Sequence, residues 1–307
     1  MRGFLWCGTE VVSGGKCAVA WTNVCCPTEY GGLGIPNLQL MGVALRLRWM
    51  WLSRVDSRAW QGLHFSADRL AEALFQASVS VQAGNGEVAL FWSDKWVNGR
   101  SIRSLAPNLW AAVPIRIRRT RTVREGLTNR AWVRDVKHAL TVQVVLQYLQ
   151  IWSLLREWQL SEDPDRFIWR WTSSGEFTSA SAYRAFFLGR EETLGAKWLW
   201  KVQAPGRCRF FGWLALLGRC WTLNRLKRHG LKEHDECALC AQEVETINHL
   251  LIGCVTSRET WFRVLSALRL QMFTPQLEPT LAEWWLRARK RIPKDLRKGF
   301  DSLRQSY

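Results

Sequence analysis

The feature of this sequence that most constrains its fold is a set of potential metal ligands between residues 236 and 254. Cys237, Cys240, His249 and Cys254 have the spacing C-x2-C-x8-H-x4-C, and we call them the Cys3His cluster. Two cysteines three residues apart place both sulfurs on one side of a tight turn, each about 2.3 Å from one Zn²⁺. The spacing therefore predicts one structural zinc ion, whose binding stabilises the fold of this region.

The second half of the cluster constrains the backbone further. His249 and Cys254 are five residues apart, so on a continuous α-helix their side chains would point about 140° apart. Gly253 directly precedes Cys254, and it predicts a left-handed cap that ends the helix and returns Cys254 to the metal. His229 and His234 are alternative ligands, each of which would displace one member of the cluster. Four protein ligands fill a tetrahedral shell, so the zinc is expected to be structural and not catalytic.

Positive charge is concentrated in three segments of a chain whose net charge is +17. Residues 100–137 contain ten Lys/Arg and two acidic residues, residues 201–228 contain seven and none, and residues 287–298 contain seven and one. This pattern is typical of proteins that bind a polyanion, although solvated arginine-rich helix faces also produce it. We predict binding to the RNA or DNA backbone with weak sequence selectivity. No run approaches the roughly 18 apolar residues of a membrane helix, so no membrane partner is expected.

The candidate nucleic-acid contacts lie in the second basic segment, beside the Cys3His cluster. They are Arg207, Arg209, Arg219, Arg225, Lys227 and Arg228. Their charges would contact phosphates, so binding should weaken steeply with salt. The 20 tryptophans could stack on unpaired bases, but their alternation with aliphatic residues favours the hydrophobic core.

The hydrophobic pattern predicts an α+β fold that is mainly α, with a small structural zinc module near the C-terminus. Residues 81–97 and 167–177 each contain apolar runs around a glycine-containing turn, and they predict two short β-hairpins. The Arg-rich residues 103–135 predict a loop that leads into a short helix. Helices are predicted at residues 37–52, 207–217, 222–229, 246–253, 257–270 and 280–291.

The nine cysteines show no regular disulfide framework, and the N-terminal apolar stretch is too short for a signal peptide. We therefore expect reduced thiols in an intracellular protein, nuclear or cytoplasmic and not secreted.

The order of motifs from Phe177 to Trp261 resembles a known family. WLWKVQAPGRCRFFGWLALLGRCWTLNRLKRHGL, followed by CALC, ETINHLLIGC and SRETW, is similar to the zinc-binding reverse-transcriptase domain of plant LINE-type (non-LTR) retrotransposons. Upstream, GKCAVAWTNVCCPTEYGGLGIPNLQLMGVALRLRWMW resembles the segment that follows the polymerase core. The stretches GNGEVALFWSDKWVNG and RFIWRWTSSGEFTSASAY resemble the connecting region.

The resemblance implies four parts of the chain. Residues 1–60 would be a remnant of the segment after the polymerase core, and residues 61–166 a connecting region with a β-hairpin and an Arg-rich loop. Residues 167–265 would form the zinc-binding reverse-transcriptase domain, and residues 266–307 a basic helical tail.

The resemblance also implies that catalytic parts are missing. A reverse transcriptase holds two metal ions with carboxylates, which the family carries in a Tyr/Phe-x-Asp-Asp turn that this sequence lacks. Asp163 and Asp165 flank Pro164 in a polar loop instead. We therefore expect a zinc-stabilised nucleic-acid-binding fragment of a retrotransposon reverse transcriptase polyprotein that is not itself an enzyme.

Two other functions stay open on the sequence. The first is a zinc-stabilised protein-interaction scaffold, which would use Phe210, Phe211, Trp213 and Leu214 if these side chains are exposed. The second is a decayed open reading frame with no selected function.

Overall fold

The computed structural model describes residues 2–10, 17–55, 68–137, 141–276 and 278–303. The chain divides into two compact units. The central unit is Leu38–Leu188, and the terminal unit combines Met1–Asn37 with Gly189–Tyr307. These units cut across the four parts implied by the sequence resemblance, whose boundaries stay a prediction.

Helices dominate both units, and the mainly α fold class is confirmed. In chain order the elements are α1 (Arg2–Cys7), α2 (Trp21–Val24), α3 (Leu38–Val55), α4 (Arg69–Ser78), β1 (Val79–Gln82), α5 (Ile102–Leu105), α6 (Pro107–Ala111), α7 (Ile115–Thr120), α8 (Val123–Leu127), α9 (Val142–Leu155), β2 (Arg166–Trp169), α10 (Ser179–Ala185), α11 (Ala196–Leu199), α12 (Gly206–Leu216), α13 (Leu223–Arg228), α14 (Val255–Ala267), α15 (Leu281–Arg291) and α16 (Arg297–Leu303). Over the described ranges, none of these helices combines the length and apolar composition needed to cross a bilayer.

Aromatic side chains build the core of the central unit. Phe91 is fully buried and packs against Trp92, Trp96 and Trp132, with ring centroids 5.0, 5.4 and 6.1 Å away. The indole nitrogen of Trp92 donates to Asp135 Oδ2 at 2.9 Å, and that of Trp96 donates to the Phe91 carbonyl at 2.8 Å. A buried indole N–H needs such an acceptor. The expectation that most tryptophans are core residues therefore holds in this unit.

The two strands belong to segments far apart in the sequence. β1 pairs antiparallel with β2, with Val79 opposite Trp169 and Val81 opposite Phe167. The described residues therefore form one two-stranded sheet between the two segments, in place of the two local hairpins that the sequence predicts.

A carboxylate explains why the first glycine turn does not close a hairpin. Asp165 Oδ1 accepts hydrogen bonds from the backbone N–H groups of Gly84 and Gly86 at 2.8 and 2.9 Å. Its Oδ2 accepts from Val88 and Ala89 at 2.9 and 2.8 Å. A Cβ on Gly84 would lie 2.1 Å from a carbonyl oxygen of the facing loop, and Gly86 has a φ of +70°. The glycines thus let the loop wrap around the carboxylate.

The Arg-rich segment is helical and is not the loop that the sequence predicts. Helices α5 to α8 are only four to six residues long, too short for a hydrophobic period to be visible in the sequence. The hydroxyl of Ser101 caps α5, accepting from the N–H of Ser104 at 3.2 Å. Thr122 and Glu125 form a reciprocal capping box at α8, with both bonds 3.2 Å long. These caps satisfy N–H groups that short helices otherwise leave open.

Residues of the predicted basic tail contribute to the core of the terminal unit. The ring of Trp284 lies 4.8 Å from Trp261 and 5.9 Å from Phe300, centroid to centroid. The buried indole of Trp285 donates to Asp301 Oδ1 at 2.9 Å. Helices α15 and α16 are therefore part of a packed unit.

Candidate metal centre

The four predicted zinc ligands converge on one point. The ligand atoms of Cys237, Cys240, His249 and Cys254 all lie within 4.8 Å of one another. The sulfurs of Cys237 and Cys254 are 4.0 Å apart, and Cys240 Sγ is 3.3 Å from Nε2 of His249. Two thiolates on a tetrahedral zinc are about 3.8 Å apart, so the donor set fits the ion. His229 and His234, the alternative ligands, are both exposed and lie outside the cluster.

The first half of the cluster is a tight turn closed by backbone hydrogen bonds. The N–H of Cys237 donates to the Glu243 carbonyl at 2.8 Å, and the N–H of Ala241 donates to the Cys237 carbonyl at 2.7 Å. Ala241 has a φ of +52°. Burial raises the pKa of the Cys237 thiol, and hydrogen bonds from the N–H groups of Leu239 and Cys240 offset part of that rise. A zinc ion binds the thiolate and would favour its deprotonation.

The second half of the cluster is a single π-helical turn. The N–H of Cys254 donates to the carbonyl of His249, five residues earlier, at 2.7 Å. This wide turn brings the two ligands to the same side. The left-handed cap predicted at Gly253 is therefore wrong, because Gly253 does not have a positive φ. Its Cβ would lie 3.3 Å from His249 Nδ1, so glycine leaves room for the imidazole.

Cys254 directly precedes α14, and the start of that helix favours its thiolate. Burial raises the pKa of the Cys254 thiol, but hydrogen bonds from the N–H groups of Ser257 and Thr256, together with those of the Cys240 and Thr256 side chains, bring the net pKa below its ordinary value. The partial positive charge of a helix N-terminus has this effect on a thiol. The start of α14 thus favours the thiolate form that zinc requires.

Glu243 faces the second nitrogen of His249. The Nδ1 atom of His249 is 3.1 Å from Glu243 Oε2, although the two groups lack the alignment of a hydrogen bond. A metal-bound histidine commonly directs its other N–H at a carboxylate, which fixes the ring and its tautomer. Glu243 is therefore placed to orient His249.

Glu245 connects the cluster to helix α13. Its buried carboxylate accepts the N–H of Leu223 at 2.8 Å, and the N–H of Ala238 lies 3.5 Å from its other oxygen. Leu223 is the first residue of α13, so its N–H has no partner within the helix. Near the end of the helix, Lys227 donates to Asp235 Oδ1 at 2.8 Å. Both ends of α13 are therefore fixed to the metal-binding region.

Replacing Glu245 by Ala should loosen α13 without removing zinc. The change leaves the Leu223 N–H without an acceptor, which costs about 1–3 kcal/mol in a buried position. Amide hydrogen exchange in α13 should become faster, while the metal content should stay at one zinc per chain. Glu236→Ala is the matched control, because this exposed carboxylate makes no hydrogen bond within the described ranges. Unchanged exchange in Glu245→Ala would contradict the assignment.

Residues 177–261 match the protein family described as zinc-binding in reverse transcriptase. This part of the chain is similar to a reverse-transcriptase zinc-binding domain. All four members of the Cys3His cluster lie within the matched range. The prediction of one structural zinc site, made from spacing, is confirmed by the match together with the converging ligand atoms.

A curated plant protein is similar to almost the whole chain. This protein of Arabidopsis thaliana, provisionally named a ribonuclease H protein, is 24% identical over 326 aligned residues. The alignment covers 92% of this chain and 49% of the relative, so the chain spans about half the length of the relative. No solved structure shows a significant match. The family match and the plant relative confirm the resemblance carried by the motif order.

The six basic residues proposed to bind nucleic acid fall into two groups. Arg207 and Arg209 lie in the first turn of α12, and Arg219, Arg225, Lys227 and Arg228 follow its other end. The helix between them has 11 residues and is about 16 Å long. The six residues therefore do not form one compact cluster. We call Arg219, Arg225, Lys227 and Arg228 the basic group of α13.

An exposed tryptophan lies within the basic group of α13. Trp221 is 52% exposed, and no other tryptophan of the described ranges is classed as exposed. The guanidinium of Arg225 lies 4.4 Å from the Trp221 ring centroid and donates to the carbonyl of Arg219. The ring centroid of His229 lies 5.4 Å from that of Trp221. Nothing in the sequence around Trp221 distinguishes it from the buried tryptophans.

Two exposed arginines of this group carry charge without a carboxylate partner. Arg219 and Arg228 are exposed, and neither forms an ion pair with another residue that the structure describes. Lys227, in contrast, is paired with Asp235 at 2.8 Å. An aromatic ring and uncompensated positive charge are thus presented side by side.

Proposed function

We propose that the chain is a zinc-stabilised nucleic-acid-binding fragment of a retrotransposon reverse transcriptase polyprotein. The observation that carries this proposal is the attachment of α13 to the metal centre through Glu245. Zinc thereby orders the helix that bears the basic group and the adjoining Trp221. Phosphates of RNA or DNA would bind Arg219 and Arg228 with little sequence selectivity. Zinc binding requires reduced thiols, which supports a function inside the cell, in the nucleus or cytoplasm.

Trp221 favours a single-stranded ligand. An exposed aromatic side chain can stack on an unpaired base, whereas the bases of a duplex already stack on one another. The ring keeps half of its surface exposed beside Arg225. Stacking and phosphate contacts together are the usual combination in proteins that bind single strands without reading their sequence.

The proposal includes no catalytic activity for this chain. The carboxylate of Asp165 is engaged by four backbone N–H groups, which leaves it poorly placed to bind a catalytic metal. Over the described residues, the Cys3His cluster is the single group of three or more His, Cys, Asp or Glu side chains placed to share an ion. The ribonuclease H name belongs to the relative, of which this chain covers 49%. We do not propose ribonuclease H activity for this chain.

Replacing Arg219 and Arg228 by Gln should reduce the salt dependence of nucleic-acid binding. Each phosphate contact to a single strand contributes about 0.7 to the slope of log K against log salt. Losing two contacts should make the slope shallower by about 1.4. Fluorescence anisotropy with a labelled 20-nucleotide RNA across a salt series measures this change. A duplex RNA of the same length should bind the unchanged protein more weakly than the single strand.

The matched control removes the same charge elsewhere. Arg48→Gln with Arg69→Gln changes two exposed arginines of α3 and α4, and the slope should stay that of the unchanged protein. An equal decrease in both double variants would contradict the placement of the site. Absence of RNA and DNA binding even at low salt would contradict the function itself.

The structure gives little support to the protein-interaction scaffold. Trp213 is fully buried, and its indole nitrogen donates to the Gly31 carbonyl at 2.8 Å. Phe210 and Leu214 pack against the same core, and only Phe211 is exposed, at 44%. One exposed phenylalanine does not make the apolar face that a scaffold would need.

A further inference from the structure

The central unit contains a large cavity lined by both cationic and apolar side chains. Its volume is about 680 Å³, within the range of small-molecule sites. We call Arg103, Arg118 and Arg119 the cationic wall, and the apolar lining includes Phe75, Trp110 and Ile115. These residues come from helices α4, α5, α6 and α7.

The three arginines of the cationic wall have no acidic partner. None of them forms an ion pair within the described ranges, and Arg103 donates to the neutral side chain of Gln76 at 3.1 Å. Burial lowers the pKa of Arg118, and the positive charges of Arg103 and Arg119 lower it further. Like charges are therefore held close together, and an anion in the cavity would relieve their repulsion.

The carboxylates that line the cavity do not neutralise this wall. Asp94 accepts the N–H of Leu90 at 2.7 Å and lies 3.5 Å from Arg54. Burial raises the pKa of Asp94, although Arg54 counteracts the rise. The other acidic group, Glu72, is exposed to solvent. Asp94 is thus matched with Arg54, which leaves the charge of the three arginines uncompensated.

Two buried N–H donors of the cavity lining have no acceptor among the described residues. They are Nε of Arg118 and Nε1 of Trp110. The guanidinium of Arg118 lies 3.9 Å from the Trp110 ring centroid, and that of Arg103 lies 4.8 Å from it. Buried donors in native proteins nearly always have an acceptor. Donors of this kind, grouped beside arginines, match the oxygens of a phosphate.

We propose that this cavity binds a nucleotide unit, either free or at the end of a nucleic-acid strand. The phosphate would accept hydrogen bonds from Arg118 and Arg119, since planar guanidinium groups match phosphate oxygens. The flat base would lie against Phe75 and Ile115. This site belongs to the central unit and does not depend on the basic group of α13.

Calorimetric titration of the full chain at low salt tests the site. The probes are AMP, inorganic pyrophosphate, and an octanucleotide with either a 5′-phosphate or a 5′-hydroxyl. Arg119→Gln changes an exposed side chain and should weaken AMP binding about tenfold, the effect of one charge-assisted hydrogen bond. Arg118→Gln should weaken it at least as much. Arg116→Gln removes the same charge from α7 outside the cavity and should leave AMP binding unchanged.

The outcomes separate the sources of the ligand. Tighter binding of AMP than of either octanucleotide supports the site as one for a free nucleotide. Tighter binding of the 5′-phosphorylated octanucleotide than of its 5′-hydroxyl form supports a strand end. Melting curves identify any loss in Arg118→Gln that comes from misfolding. The proposal is overturned if neither AMP nor pyrophosphate binds and the two octanucleotides bind equally, or if Arg119→Gln and Arg116→Gln weaken AMP binding equally.

Discussion

Replacing Cys240 by Ser should abolish zinc binding and unfold the region from residue 223 to residue 254. Cys240 Sγ lies 3.3 Å from Nε2 of His249, and serine supplies no thiolate at this position. Structural zinc contributes about 10–16 kcal/mol of apparent binding free energy in small zinc modules. Losing one of four ligands should therefore destabilise this region by several kcal/mol. Elemental analysis of the purified protein and amide hydrogen exchange measure the two effects.

Cys7→Ser is the matched control for the metal centre. Cys7 is exposed and lies outside the cluster, so this variant should keep one zinc per chain. Hydrogen exchange in the central unit should be the same in both variants, because its core is formed by its own residues. A Cys240→Ser protein that retains zinc and normal exchange over residues 223–254 would refute the assignment.

Replacing Asp165 by Ala should strongly destabilise the central unit. The carboxylate accepts four backbone N–H groups from residues 84–89, and alanine leaves all four without that acceptor. Water can reach the more exposed of these groups, so we expect a cost of roughly 3–5 kcal/mol. Hydrogen exchange of residues 79–91 in a denaturant series measures the loss, since a chain of two units does not unfold as one cooperative step.

Asp163→Ala provides the comparison within the same loop. Asp163 is exposed. Its backbone carbonyl, and not its side chain, accepts a hydrogen bond from the backbone N–H of Asn85 at 2.7 Å. Removing its side chain should cost less than about 1 kcal/mol. Similar losses in Asp163→Ala and Asp165→Ala would show that the four hydrogen bonds do not stabilise the loop.

The metal centre could be predicted from the sequence because its geometry is mostly local. The pair Cys237 and Cys240 lies in one turn, and the pair His249 and Cys254 lies in another, so spacing alone restricts where their side chains point. The sequence predicts the bend before Cys254 at the correct place but with the wrong backbone conformation. A π-turn and a left-handed cap both bring residues five apart together, and the letters of the sequence do not distinguish them.

The sheet could not be predicted in the same way. Gly84 and Gly86 carry the local signal of a hairpin turn, but their N–H groups bind a carboxylate about 80 residues later in the chain. Such a contact depends on the tertiary fold, and no local pattern reports it. Glu245 was missed for a similar reason, because its partner Leu223 lies 22 residues away.

Exposure was the other property that the sequence did not reveal. Trp221 follows Cys220 just as other tryptophans follow apolar residues, and only the fold shows that its ring is accessible. Arg103, Arg118 and Arg119 belong to a basic segment whose charge indicates a polyanion partner or a solvated helix face. Only the fold shows that these three side chains line one cavity.

The terminal unit joins two stretches of chain that are separated by the whole central unit. During synthesis, the carbonyl of Gly31 cannot accept its hydrogen bond from the indole of Trp213 until Trp213 has been made. At about 5–20 residues per second, the ribosome needs roughly 10–35 s to make the intervening stretch. The central unit can therefore complete its core first on the nascent chain, while the N-terminal segment stays exposed to chaperones until the zinc-binding half emerges.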